Sequence, residues 1–142
     1  MDKKITLFVM TQKGYKVLKS ILDKLPETVH AVVLARAESL EKDYYEEIKS
    51  LCVKHSIIFH DRSEKFNIET KFAIAASWRW LIDAGNCRLI VFHDSLLPKY
   101  RGFNPLVTAL INGDNKIGVT AIFADKEYDK GDILYQSELE IT

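Results

Sequence analysis

Two short apolar runs joined by a helical repeat constrain this chain more than any other feature. Ile5 to Met10 is a run of the kind that forms a buried strand, and Thr11-Gln12-Lys13-Gly14 breaks it. Beyond the break, Tyr15, Val17, Leu18, Ile21, Leu22 and Leu25 recur at helical spacing. Pro26 stops the repeat, and Val29 to Leu34 is a second buried strand carrying His30. Strand, helix and strand in that order predict a right-handed parallel crossover. Ser39 caps a second helix with Leu40, Tyr44, Ile48, Leu51 and Cys52 on its inner face and the mixed charges of Glu38 to Glu47 in solvent. Ile57 to Phe59 supplies a third strand.

From His60 to Thr70 the sequence is polar, mixed in charge and without period, and it reads as a loop. Phe72 to Ser77 and Leu89 to Phe92 are further strands, with a short helical turn at Trp78 to Ile82 between them. Pro105 opens a helix over Leu106, Val107, Leu110 and Ile111, which Asn112-Gly113 ends. Val119 to Ala124 and Ile133 to Ile141 have no helix between them and predict an antiparallel pair. The whole pattern predicts an α/β fold: an open, mostly parallel Rossmann-like sheet with helices on both faces and an antiparallel edge near the C-terminus. No covering helix follows Ile141, so the domain spanning 1–142 reads as shortened at its C-terminus, with a sheet edge open to homo-oligomer formation.

At 142 residues one domain is expected. Twenty basic and twenty acidic residues cancel, so no global field draws the chain to nucleic acid or to an anionic membrane. The N-terminus lacks a signal-peptide pattern, and no segment approaches the roughly 20 apolar residues of a membrane span. Cys52 and Cys87 stand alone and read as inert core residues in a reducing cytoplasm. His30, His55 and His60 have no metal-ligand spacing, and no metal is expected.

The chemistry concentrates at His93. It follows Leu89-Ile90-Val91-Phe92 and precedes a polar, proline-containing loop, so its ring is expected to leave the sheet at a strand's carboxyl end, where it can move protons near neutral pH. Asp129, in Asp129-Lys130-Gly131-Asp132, can hold an imidazole or a water; an ordinary hairpin turn ordered by Asp132 is the alternative. Lys99, Tyr100 and Arg101 suit an anionic ligand group or a solvated surface. Trp78 and Trp80, flanking Arg79, suit a flat heterocycle or core packing.

His93, Ser95-Leu96-Leu97-Pro98, Tyr100-Arg101-Gly102, Gly118-Val119-Thr120 and Asp129-x-Gly131-Asp132-Ile133, in that order and approximate spacing, resemble the folate-dependent formyltransferase family, including the methionyl-tRNA formyltransferase-like and sugar N-formyltransferase-like catalytic domains. The resemblance runs from about Phe72 to Ile133; earlier residues agree only in their β-α-β pattern. It implies 10-formyltetrahydrofolate as formyl donor and His93 and Asp129 as catalytic residues. It implies Ser77, Trp78, Arg79, Trp80, Val91 and Phe92 at the donor, and Ser95, Lys99, Tyr100 and Arg101 at the substrate. The implied acceptor is a small primary amine, first of all an amino group on a nucleotide-linked sugar. The absence of room for a further tRNA-binding domain argues against tRNA. One departure stands out: many transferases of the family carry Asn two residues before the catalytic histidine, and this chain has Val91, which has no hydrogen-bond donor for an oxyanion. The hydrolase domain of formyltetrahydrofolate dehydrogenase also has an aliphatic residue there. Hydrolysis of the donor and a catalytically impaired folate-binding module therefore stay open as alternatives.

Overall fold

The computed structural model describes residues 4–102, 104–124 and 131–141. Seven strands form a mixed sheet in the order β3-β2-β1-β4-β5-β6-β7, and the chain divides into two compact units, Met1–Leu89 and Ile90–Thr142.

In the first unit, β1 (Ile5–Val9) pairs in parallel with β2 (Val29–Leu34) and β4 (Phe72–Ala76), and β2 pairs in parallel with β3 (Ile58–Asp61). Helix α1 (Thr11–Lys24) links β1 to β2, and α2 (Tyr45–Lys54) links β2 to β3. Both crossovers step the same way along the sheet, so the right-handed rule puts both helices on one face, where α1 packs against β1 and α2. Leu7, Val9, Val32, Val33, Leu34, Leu18 and Ile48 make a closed interior.

Thr11-Gln12-Lys13-Gly14 does not break the strand from the helix; it is the first turn of α1, closed by Gly14 N–H donating to the Met10 carbonyl at 3.0 Å. Glycine inside a helix costs about 1 kcal/mol relative to alanine. Here it lets the helix touch the sheet, because a Cβ on Gly14 would lie 3.0 Å from Val9 Cβ and 3.1 Å from the Val9 carbonyl carbon.

The second helix begins at Tyr45, not after Ser39, and Leu40 is exposed in a turn. Asp43 explains the shift: its carboxylate accepts the N–H groups of Ala37 and Tyr45, each at 3.1 Å, and so organises the residues before the helix as a turn. Ile48 and Cys52 are buried as expected. The connection from β3 to β4 carries no helix, and Trp78 to Ile82 is not a helical turn. Ser77, at φ +58°, redirects the chain, and Trp78 packs on the buried cluster of Met10, Ala35 and Ala37, so tertiary anchoring overrides the local helical spacing.

The second unit holds β5 (Arg88–His93) from Ile90 onward, α3 (Pro105–Ile111), β6 (Lys116–Phe123) and β7 (Ile133–Glu140). β5 with β6 and β6 with β7 are antiparallel. Ala109 is the buried residue of α3, and Leu106, Val107, Leu110 and Ile111 are exposed. The registers place His93 opposite Thr120 and Thr120 opposite Gln136, one row across three strands. Directly opposed residues of antiparallel strands point to the same face, so the three side chains share one. Among the described residues no helix is long and apolar enough to cross a membrane.

Candidate active site

His93 ends β5 and is buried, and its ring meets the loop beyond the strand: Nε2 lies 2.7 Å from the Tyr100 carbonyl oxygen. The following loop curls back over the strand end and covers it. A carbonyl only accepts, so Nε2 carries a proton in this contact. Tyr100 itself has φ +57°, an uncommon conformation for an aromatic residue. The Ser95 hydroxyl donates to the Lys99 carbonyl, tying the two ends of the loop together.

β6 seats this loop through two residues. A Cβ on Gly118 would collide with Leu96 Cδ2 and lie 2.6 Å from the Ser137 carbonyl oxygen, so only glycine leaves room for Leu96. Thr120, fully buried, donates its hydroxyl to the Ser95 carbonyl at 2.6 Å and accepts the Leu97 N–H at 3.1 Å. Gln136 Nε2 donates to Thr120 Oγ1 at 3.0 Å and to the Leu97 carbonyl at 2.9 Å. The peptide bond between Leu97 and Pro98 is cis.

Lys99 and Tyr100 are drawn to Asp114. The Tyr100 hydroxyl donates to its carboxylate at 2.6 Å, Asn112 donates to that hydroxyl at 3.2 Å, and Lys99 Nζ is 3.9 Å away. Arg101 is exposed. A hollow of about 210 Å³ beside the loop is lined by Asp94, Ser95, Lys99, Tyr100 and Asp114, among others. Val91, two residues before His93, points to the same face as its ring and pairs with Ile122. Asp129 lies outside the described residues, as do Tyr128 and Lys130. Next to them, Gly131 admits no side chain, since a Cβ would overlap the Phe123 carbonyl, and Asp132 accepts the Phe123 N–H at 3.0 Å through its own carbonyl.

The first unit contains a separate cleft of about 940 Å³. Alternation along β1 turns Val9 toward α1 and Phe8 to the other face, where Phe66 and Trp78 cover it with ring centroids 6.2 and 5.4 Å away. Trp80 meets Trp78 edge-on at 5.5 Å, and the Arg62 guanidinium lies 3.8 Å over the Trp80 ring. Flat apolar faces beside a cation suit a planar ligand with an acidic group. At the ends of β1 and β4, Thr11 and Ser77 both have positive φ, and their hydroxyls are 2.9 Å apart. Of the residues expected at a donor, Ser77, Trp78 and Trp80 lie in or beside this region and Arg79 is exposed, while Val91 and Phe92 lie on β5.

The other titratable groups serve structure. Hydrogen bonds from the hydroxyls of Ser63 and Tyr45 hold the Asp61 carboxyl below its usual 3.8, and burial together with Asp61 pushes the Tyr45 hydroxyl up to about 12. Burial acts to raise Asp43, but the N–H groups of Ala37 and Tyr45 and the Arg36 charge bring it below its usual value. Burial pushes the Cys52 thiol up to about 12. Cys87 is also raised by burial, but it is partly exposed and lines the aromatic cleft, so it is not the core residue its sequence context suggested. His30 pairs with Glu69 at 3.2 Å, and His60 stacks on Phe66 and pairs with Glu64 at 3.4 Å.

Sequence reasoning passed over Gln136, Arg62, Phe66, Thr11 and Asp114. For Arg62 and Phe66 the one available signal was a cation and an aromatic close together in an otherwise polar stretch.

Residues 74–142 match the family profile described as Formyl transferase. A methionyl-tRNA formyltransferase of Fusobacterium nucleatum is 42% identical over 62 residues, covering 44% of this chain and 20% of that protein. One from Ureaplasma parvum is 31% identical over 109 residues, covering 68% of this chain and 36% of that protein. The chain thus spans well under half the length of these curated relatives. Among solved structures, a glycinamide ribonucleotide transformylase of Symbiobacterium toebii superposes with a TM-score of 0.75 at 19% identity, over 98% of this chain and 74% of that one. A sugar 3N-formyl transferase solved with dTDP and 5-N-formyl-THF gives 0.68 at 20% identity, over 99% and 53%. A formyltetrahydrofolate deformylase of Pseudomonas syringae gives 0.75 at 15% identity, over 100% and 52%. From residue 74 onward the sequence is that of the formyl transferase family, and the chain as a whole shares its fold with solved formyltransferases.

Proposed function

We propose that this chain transfers the formyl group of 10-formyltetrahydrofolate to a primary amine. The amine nitrogen attacks the formyl carbon, the carbonyl electrons move to oxygen, and the tetrahedral oxyanion collapses with the folate nitrogen as leaving group. The amine gives up one proton and tetrahydrofolate gains one. The reading rests chiefly on His93: a buried imidazole at a strand's carboxyl end, its Nε2 against the Tyr100 carbonyl, of the residue type best suited to exchanging protons with reactants. In this reading Asp129 orients His93 and a water, and the aromatic cleft of the first unit takes the donor's ring system. Lys99 and Arg101 give cationic character to a loop suited to an acceptor carrying phosphate, such as a nucleotide-linked amino sugar. The relatives named for methionyl-tRNA remove the support for excluding tRNA, so aminoacylated tRNA belongs among the acceptors to be tried.

Val91 favours a second reading. An aliphatic side chain on the face of His93, where many family members place Asn, removes an oxyanion donor that is worth on the order of 100–1000-fold in turnover. Donor hydrolysis, with water in place of the amine, then competes.

The test is incubation with 10-formyltetrahydrofolate alone, with a nucleotide-linked amino sugar, and with methionyl-tRNA, followed by mass analysis of folate and acceptor. A formylated amine plus tetrahydrofolate, lost in His93→Ala, is the expected result. Formate released without any amine selects the hydrolase, and no turnover with no folate bound overturns both readings.

A further inference from the structure

β7 stands last in the strand order, and every residue of Ile133–Glu140 is exposed. An open edge of this kind presents backbone donors and acceptors that recruit another strand. The outward groups can be assigned from the pairing with β6. Ile141 donates its N–H to the Asn115 carbonyl at 2.7 Å, so by alternation Leu139, Ser137 and Tyr135 also turn their backbone groups toward β6. Gln136, Glu138 and Glu140 turn theirs to the open side. The same register puts the side chains of Tyr135, Ser137 and Leu139 on one face with those of Ala121, Val119 and Ile117. That face is apolar yet wet, with Tyr135 70% and Leu139 66% exposed. Gln136 and Glu138 share the other face, where Lys116 Nζ lies 3.7 Å from the Glu138 carboxylate.

We propose that β7 is a homodimer interface, in which two copies of this chain pair their β7 strands antiparallel about a two-fold axis at Ser137. Strands related by a two-fold axis oppose residues as in a palindrome, and the alternation of outward backbone groups allows only axes that pass through a residue. About Ser137, each Tyr135 opposes a Leu139 and each Gln136 opposes a Glu138. Apolar meets apolar, and no carboxylate opposes another. The neighbouring axes fail this test. One at Glu138 opposes two carboxylates, and one at Leu139 opposes Glu138 to Glu140. One at Gln136 sets Leu134 against Glu138 and runs into the register shift opposite Ala121 and Ile122. With the axis at Ser137, Gln136 and Glu138 exchange the backbone hydrogen bonds across the seam, since theirs are the groups that face outward. Tyr135 and Leu139 cover one another there, and each copy spends its open edge on the other, so the assembly closes at two.

The dimer is independent of the reaction, and its test needs neither donor nor acceptor. Sedimentation velocity of the native chain from low to high micromolar concentration should show a reversible monomer–dimer equilibrium. Cross-linking then reads the register. Ser137 forms a pair without backbone bonds across the axis, which sets its two Cα atoms about 4.5 Å apart, inside the roughly 4.4–6.8 Å that a disulfide spans. In a Cys87→Ser background, Ser137→Cys should give a covalent dimer on mild oxidation. Tyr135→Cys in the same background is offset from its copy by four residues, about 13 Å along the strand, and should run as a monomer on a denaturing gel. Glu138→Pro removes an outward N–H without taking a bond from the β6 ladder, and by symmetry the dimer loses two bonds, which should raise its Kd about tenfold or more. A native chain that is monomeric at every concentration, or that grows beyond two copies, overturns the proposal. Cross-linking of Tyr135→Cys as readily as Ser137→Cys overturns it too, as does a folded Glu138→Pro chain that dimerises like the native one. If Glu138→Pro does not fold, the two cysteine variants decide the matter between them.

Discussion

His93 and Val91 stand two residues apart on one face of β5 and pull the chemistry in different directions. An imidazole with Nε2 engaged is equipped for proton exchange, whereas valine contributes nothing to a developing oxyanion. Val91→Asn is expected to raise transfer to an amine by about tenfold or more relative to formate release, read as the ratio of the two products by mass. An unchanged ratio would mean that another donor already fills the place. His93 was legible in the sequence because an apolar run ending in histidine and a polar loop needs no partner to be noticed. Gln136 was not legible, because its meaning depends on the register of β6 against β7, and an exposed-looking strand does not advertise which residue faces which. The burial of His93 was not legible for a related reason: what covers the ring is the loop that follows it, folded back by contacts with β6.

At the level of elements, the strands were visible wherever one short apolar run stood between turn signals, and their ends were visible less well. β1, β2, β4 and the β6–β7 pair appear close to where the apolar runs place them. Helix starts were the weak point, since side chains outside the helix decide them. Asp43 moves α2 to Tyr45, and the need for contact with Val9 turns Gly14 from a breaker into part of α1. Gly118 makes the same argument for β6, where a missing side chain seats Leu96. Gly118→Ala should destabilise by about 1–3 kcal/mol, because the added methyl meets the Ser137 backbone carbonyl as well as a flexible leucine. Denaturant unfolding measures this; a loss below about 0.5 kcal/mol would show that the loop simply rides up.

For the molecule as a whole, balanced charge hides a dependence on acid. Asp61 has its carboxyl held low in the folded state, by Ser63 first and then by Tyr45. A carboxyl with a depressed folded value adds stability above its unfolded value, about 3.9, and loses it as pH falls through the lower folded one. Asp61→Asn should therefore lower Tm by about 2–4 °C at pH 7, with the gap to the native chain closing as the pH drops below the unfolded value. A gap that stays constant with pH would assign the loss to geometry instead of charge.

The aromatic cleft of the first unit has a consequence for observation. The chain contains two tryptophans, and both line that cleft, one edge-on to the other, with a guanidinium over the outer ring. Its tryptophan emission therefore comes from a single neighbourhood, and the protein is its own optical reporter for whatever enters there. Titration with 5-formyltetrahydrofolate, a non-reacting isomer of the donor, should quench that emission along a saturable curve. Arg62→Ala should alter the starting spectrum before any ligand is added. A flat response in the native chain would separate the cleft from donor binding while leaving His93 untouched.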